Sequence, residues 1–63
     1  MENEPCDILL TPSAVAQRLS LHEGTLNNWR SRGYGPSYVR IGRRVRYLER
    51  EVARWVNETA VRP

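Results

Sequence analysis

Apolar residues along this chain recur first at helical spacing, then at every second position, then at helical spacing again. Leu10 precedes Thr11-Pro12, a helix start in which threonine can cap the orphan amides and proline suits the first helical position. Leu10 is also placed to staple onto that helix. Val15 and Leu19 then stand one helical turn apart, with Ala16 beside them, and predict a short helix ending near Leu19. Ser20-Leu21-His22 interrupts the pattern. A second helix is expected from Glu23 to about Arg32, with Leu26 and Trp29 on its buried side. Gly24 weakens its first turn, whereas Glu23 favours the positive end of its dipole. Gly33 suits the left-handed position after the last turn, and Tyr34-Gly35-Pro36 reads as a loop.

From Tyr38 to Tyr47 the period falls to two. Val39 and Ile41 alternate with Tyr38 and Arg40, and Val45 and Tyr47 alternate with Arg44 and Arg46, around a tight Gly42-Arg43 turn. The expectation is a hairpin with Val39, Ile41, Val45 and Tyr47 on the core. Arg40, Arg44 and Arg46 then share the outer face, with Arg43 at the tip. Val52, Trp55 and Val56 restore helical spacing between Leu48 and about Glu58. Glu49 and Glu51 suit the first turn of this last helix, but no capping side chain precedes it. The predicted order is helix, turn, helix, hairpin, helix, in one domain over 9–58. Residues 1–8 read as a flexible acidic tail and 59–63 as a frayed end.

Charge sharpens this picture. Residues 1–23 carry four acids and one arginine, a net −3, whereas residues 24–63 carry nine arginines and three acids, a net +6. Six arginines (Arg30, Arg32, Arg40, Arg43, Arg44, Arg46) and no acidic side chain lie between Glu23 and Glu49. Such a field suits a polyanion. All the basic side chains are guanidinium groups, which pair bidentately with phosphate. The chain is small, so once a core is built little remains for a catalytic pocket.

Other classes fail on inventory. One His and one Cys assemble no metal set, and no glycine-rich phosphate loop or nucleophile–base pair is visible, so neither enzyme chemistry nor a cofactor is expected. Cys6 reads as a surface thiol in a reducing compartment. Ile8-Leu9-Leu10 is too short a run for a membrane span or signal segment, which places the chain in the cytoplasm, with no membrane or small-molecule partner. Trp29 and Trp55 lie on apolar helical faces and read as core anchors, while Arg54 and Arg62 read as solvated.

Two short helices joined by a tight turn describe a helix-turn-helix unit, and an arginine-tipped hairpin after it makes the fold mainly α with a β-hairpin wing. The residues that carry this are Leu10-Thr11-Pro12, Val15-Ala16, Leu19, Thr25-Leu26, Trp29-Arg30, Gly35-Pro36, Val39-Arg40, Gly42-Arg43-Arg44, Arg46-Tyr47, Val52 and Trp55. Over residues 9–56 they resemble the small winged helix-turn-helix excisionases of phages. The pattern is shared with AlpA-like regulators and, more distantly, with the DNA-binding domain of MerR-type regulators.

That resemblance implies double-stranded DNA as partner, with the second helix in a major groove and the wing beside it reaching a minor groove. Gly24, Thr25, Asn27, Asn28, Ser31 and Arg32 are then the recognition-helix candidates. Arg30, Tyr38, Arg40, Arg43, Arg44 and Arg46 are the candidates on the wing and its flanks. Asn27 and Asn28 stand where excisionases often have basic residues, and asparagine can pair with adenine instead. The function implied is a DNA-bending factor that binds repeats at an attachment site beside neighbouring copies of itself. It would bias an integrase toward excision in a bacterial or phage-infected cell. Only a few residues follow the last predicted helix, where excisionases often carry a longer tail. A promoter-binding winged-helix regulator would show the same residues. An interaction module docking a protein on its Val52/Trp55 face is the reading from another class.

Overall fold

The first helix begins where the sequence places it. In a computed structural model describing residues 8–60, α1 spans Pro12–Arg18, and the Thr11 hydroxyl accepts from the Ala14 amide at 3.1 Å. That satisfies one of the four amides a helix start leaves unbonded. Leu10 and Val15, on either side of this cap, belong to the same buried cluster. The helix ends in a double backbone closure: Ser20 N–H donates to Gln17 O at 3.2 Å and Leu21 N–H to Ala16 O at 2.8 Å. Such a closure requires a left-handed residue, and here it is Ser20, with φ of 58°.

The second helix, α2, spans Glu23–Ser31 and closes in the same way on a glycine. Gly33, at φ of 73°, donates to Arg30 O at 3.1 Å, and Tyr34 N–H donates to Trp29 O at 2.9 Å. The residue after the glycine then meets the last helical turn: Tyr34 packs edge-on against Trp29 with ring centres 5.0 Å apart. Trp55 completes a triangle, 5.7 Å from each of those rings. Tyr34, read from sequence as a loop residue, is thus the side chain that ties the loop to two helices.

Two strands follow, β2 (Tyr38–Ile41) and β3 (Arg44–Leu48), joined by Gly42-Arg43. Gly42 has φ of 61° and Arg43 does not share that sign, the arrangement of a glycine-led two-residue hairpin turn. A third strand, β1 (Leu9–Leu10), pairs antiparallel with the other edge of β3, so β3 is central in the order β1-β3-β2. Sequence reading gives only the hairpin, because two residues display no period. The last helix, α3, spans Glu49–Thr59. No side chain caps it; the Glu49 amide instead donates to the carbonyl of Ile8 at 2.9 Å. The residue just before β1 therefore supplies the missing cap.

The expected faces of the hairpin are corrected by its register. Ile41 pairs with Arg44, Arg40 with Val45, Val39 with Arg46 and Tyr38 with Tyr47. Directly opposed residues share a face, so Tyr38, Arg40, Val45 and Tyr47 lie on one side, and Val39, Ile41, Arg44 and Arg46 on the other. Arg40 therefore does not share a face with Arg44 and Arg46, and Val39 and Ile41 do not face the core with Val45 and Tyr47. Ile41 is 51% exposed. The reason is parity: a two-residue turn makes the residues flanking it partners, which forbids Ile41 and Val45 from pointing the same way.

The core is small. Leu10, Val15, Ala16, Leu26, Tyr47 and Val52 are buried, with Ala14, Leu19, Trp29 and Val45 packed around them. Each helix and the sheet contribute, so no element buries its apolar side alone. Among the described residues, no helix is long and apolar enough to cross a membrane. The expected tail at 1–8 falls, apart from Ile8, outside the described residues, as do Cys6 and Arg62.

Candidate nucleic-acid interface

The second helix presents a polar surface because its apolar residues are spent elsewhere. Leu26 is 1% exposed and Trp29 is half-buried, which turns Gly24, Thr25, Asn28 and Ser31 outward, all of them exposed. Arg32 caps the carboxyl end and is exposed too. These small and amide-bearing residues leave the helix able to approach another surface closely.

The end of α2 is fastened to the hairpin by Arg30. Its Nη1 donates to Asn27 Oδ1 at 2.8 Å and to the Tyr47 hydroxyl at 3.3 Å, and the guanidinium lies 5.9 Å from the centre of the Tyr38 ring. Tyr38 in turn packs on Tyr47, ring centres 5.9 Å apart. Arg30, grouped by sequence with the exposed basic residues, is half-buried and engaged within the protein. Asn27 is likewise half-buried, unlike its neighbour Asn28. An open cleft of about 290 Å³ runs between the end of α2 and the start of β2, lined by Arg30, Tyr34, Ser37 and Tyr38.

The wing distributes its charge over three directions. Arg40 lies on the side of Val45 and Tyr47, Arg43 sits in the turn, and Arg44 and Arg46 lie on the opposite side. Arg40, Arg43 and Arg44 are exposed; Arg46 is half-buried and donates to the carbonyl of Val45 at 2.7 Å. Among the described residues, Arg32, Arg40, Arg43, Arg44 and Arg46 form no ion pair. Two arginines outside this region behave differently. Arg18 pairs with Glu49 at 2.9 Å, and Arg54 lies 3.6 Å from Glu51 and 3.5 Å from Glu58. Positive charge is thus neutralised on the α1–α3 side and left uncompensated around α2 and the hairpin.

Two other positions are placed by the fold. Val52 is 5% exposed and belongs to the core, so the proposed Val52/Trp55 docking face is reduced to a shallow groove of about 290 Å³ beside Trp55 and Val56. His22 stands at the cap of α2 without a side-chain cap bond. Among the described residues, no three His, Cys, Asp or Glu side chains gather to hold a metal ion.

A protruding polar helix, set by a tight turn against a preceding helix and flanked by uncompensated arginines, is the form of a DNA-binding motif. The comparison with known families agrees: residues 9–60 match the model of a helix-turn-helix domain. The chain belongs to the helix-turn-helix domain family. Membership supports sequence-specific DNA binding, and the match spans every element from β1 to α3. No curated protein and no solved structure matches the chain.

Proposed function

We propose that this helix-turn-helix protein is an architectural DNA-binding factor of excisionase type. In this reading α2 lies in a major groove, with Gly24, Thr25, Asn27, Asn28, Ser31 and Arg32 along the base edges and phosphates. The wing lies beside it, with Arg43 toward the minor groove and Arg40, Arg44 and Arg46 on the backbone. Neighbouring copies occupy repeats at an attachment site and bend the duplex, and an integrase uses the bend to favour excision. The protein supplies no chemistry; the cost of bending is offset by the recombinase contacts the bend permits.

The observation that carries the reading is the uncompensated charge of five arginines around α2 and the hairpin, whereas Arg18 and Arg54 are paired with carboxylates. Selection of bound sequences from randomised duplexes, followed by a circular-permutation gel on the selected site, tests it. Tandem direct repeats and a position-dependent mobility are expected. A single site with no bend would overturn the excisionase reading in favour of a promoter-binding regulator. In the same selection, Arg43→Ala should weaken binding across sequences, whereas Asn28→Ala should relax one or two base pairs by about 1–3 kcal/mol each.

A further inference from the structure

Asn27 and Asn28 are adjacent amides on the same helix, yet the fold treats them differently. Asn28 is exposed, with its carbonyl and amino groups both available. Asn27 is half-buried, and its Oδ1 accepts from Arg30 Nη1 at 2.8 Å. A guanidinium has only donors, so the atom facing it must be the oxygen, and the orientation of the Asn27 amide is settled by chemistry. Arg30 is itself held from a second element by the Tyr47 hydroxyl at 3.3 Å and by the Tyr38 ring. The amide therefore cannot turn over without breaking a contact anchored on the sheet.

An asparagine reads adenine by accepting from N6 through Oδ1 while donating to N7 through Nδ2. Asn27 offers that pair at a disadvantage, although its oxygen keeps a second lone pair. Its oxygen is turned to Arg30, and an adenine amino group brought there would set its own positive hydrogens beside the guanidinium. What remains is the Nδ2 amino group, which donates to none of the described residues. Guanine is the base whose major-groove edge carries two adjacent acceptors, N7 and O6, and no donor. We propose that Asn27 is a donor-only reader that selects guanine, and that Arg30 is the positioning residue that imposes this polarity. The proposal rests on α2 being the helix that enters the major groove.

The full-length protein and three variants would be taken through selection from randomised duplexes at one low salt concentration, with circular dichroism to confirm folding. Asn27→Asp keeps the size and the bond to Arg30 but replaces the donors with an acceptor. It should lower affinity for the wild-type duplex about ten-fold or more and move one position from guanine to cytosine, whose N4 amino group donates. Arg30→Met should free the amide and admit adenine at that position. Asn28→Ala should leave the position unchanged.

Adenine at that position in the wild-type selection, or an Asn27→Asp profile identical to wild type, would overturn the proposal. So would an Arg30→Met profile that keeps guanine while affinity falls evenly, since that marks Arg30 as a phosphate contact. If Arg30→Met does not fold, the Asn27→Asp profile decides alone. Failure of the wild type to bind any duplex would instead remove the DNA reading beneath it.

Discussion

Ser20 carries a left-handed backbone, φ 58°, in the turn between the two helices of the motif. A side chain there crowds the following carbonyl, yet the closure of α1 demands the conformation, since both of its bonds depend on it. Glycine adopts this geometry freely, and its larger unfolded-state entropy cancels only part of the gain. Ser20→Gly should therefore stabilise the fold by about 0.5–1 kcal/mol. In a chain of this size each kcal/mol raises the thermal midpoint by about 4–8 °C, measurable by circular dichroism. A fall in the midpoint would mean that the serine hydroxyl contributes more than the strain it brings. Gly33 occupies the equivalent position after α2, so the two helix ends of the motif form an internal comparison.

Trp29 joins three elements: it packs against the core from α2, edge-on to Tyr34 in the following loop, and 5.7 Å from Trp55 of α3. Gly35, at φ of 98°, passes close beneath it, where an added Cβ would lie 3.5 Å from the indole. Removal of a fully buried tryptophan costs about 3–5 kcal/mol, and half-burial should reduce that to about 2–4 kcal/mol for Trp29→Ala. Total stability at this length is of order 3–9 kcal/mol, so the loss is severe. Thermal and denaturant unfolding should show a large drop in midpoint. A variant that keeps its midpoint while losing DNA binding would place the indole in the interface instead of the aromatic triangle.

At the scale of the molecule, charge is sorted by side. Arg18 and Arg54 are neutralised by carboxylates, while Arg32, Arg40, Arg43, Arg44 and Arg46 are not. If those five meet phosphates, the logarithm of the affinity should fall with the logarithm of salt concentration at a slope between about −4 and −5. Fluorescence anisotropy across a salt series measures it. Arg54→Ala should leave the slope unchanged, because its guanidinium already lies between two glutamates on α3. A slope near zero for the wild type would show that the uncompensated charge does not face the backbone.

What the sequence determined by itself is whatever a few neighbouring residues can decide among themselves. Thr11-Pro12 starts α1, Gly33 ends α2 and Gly42 turns the hairpin because capping, left-handed φ and turn geometry act within about four residues. The faces of the hairpin were misassigned from the alternation alone, and its register corrects them. A two-residue turn fixes parity, so pairing Ile41 with Arg44 excludes the alternation that sets Ile41 beside Val45. Composition gave the basic surface, and the residue pattern gave the helix-turn-helix resemblance. Only the tertiary structure decided that Leu9-Leu10 is a strand, that the Ile8 carbonyl caps α3, and that Tyr34 closes the aromatic triangle. It also decided that Arg30 faces inward to Tyr47, seventeen positions away, and so sets Asn27 apart from Asn28. Each of these joins groups far apart in the chain. A side chain's partner at that range depends on where the rest of the chain has folded, and no local period records it.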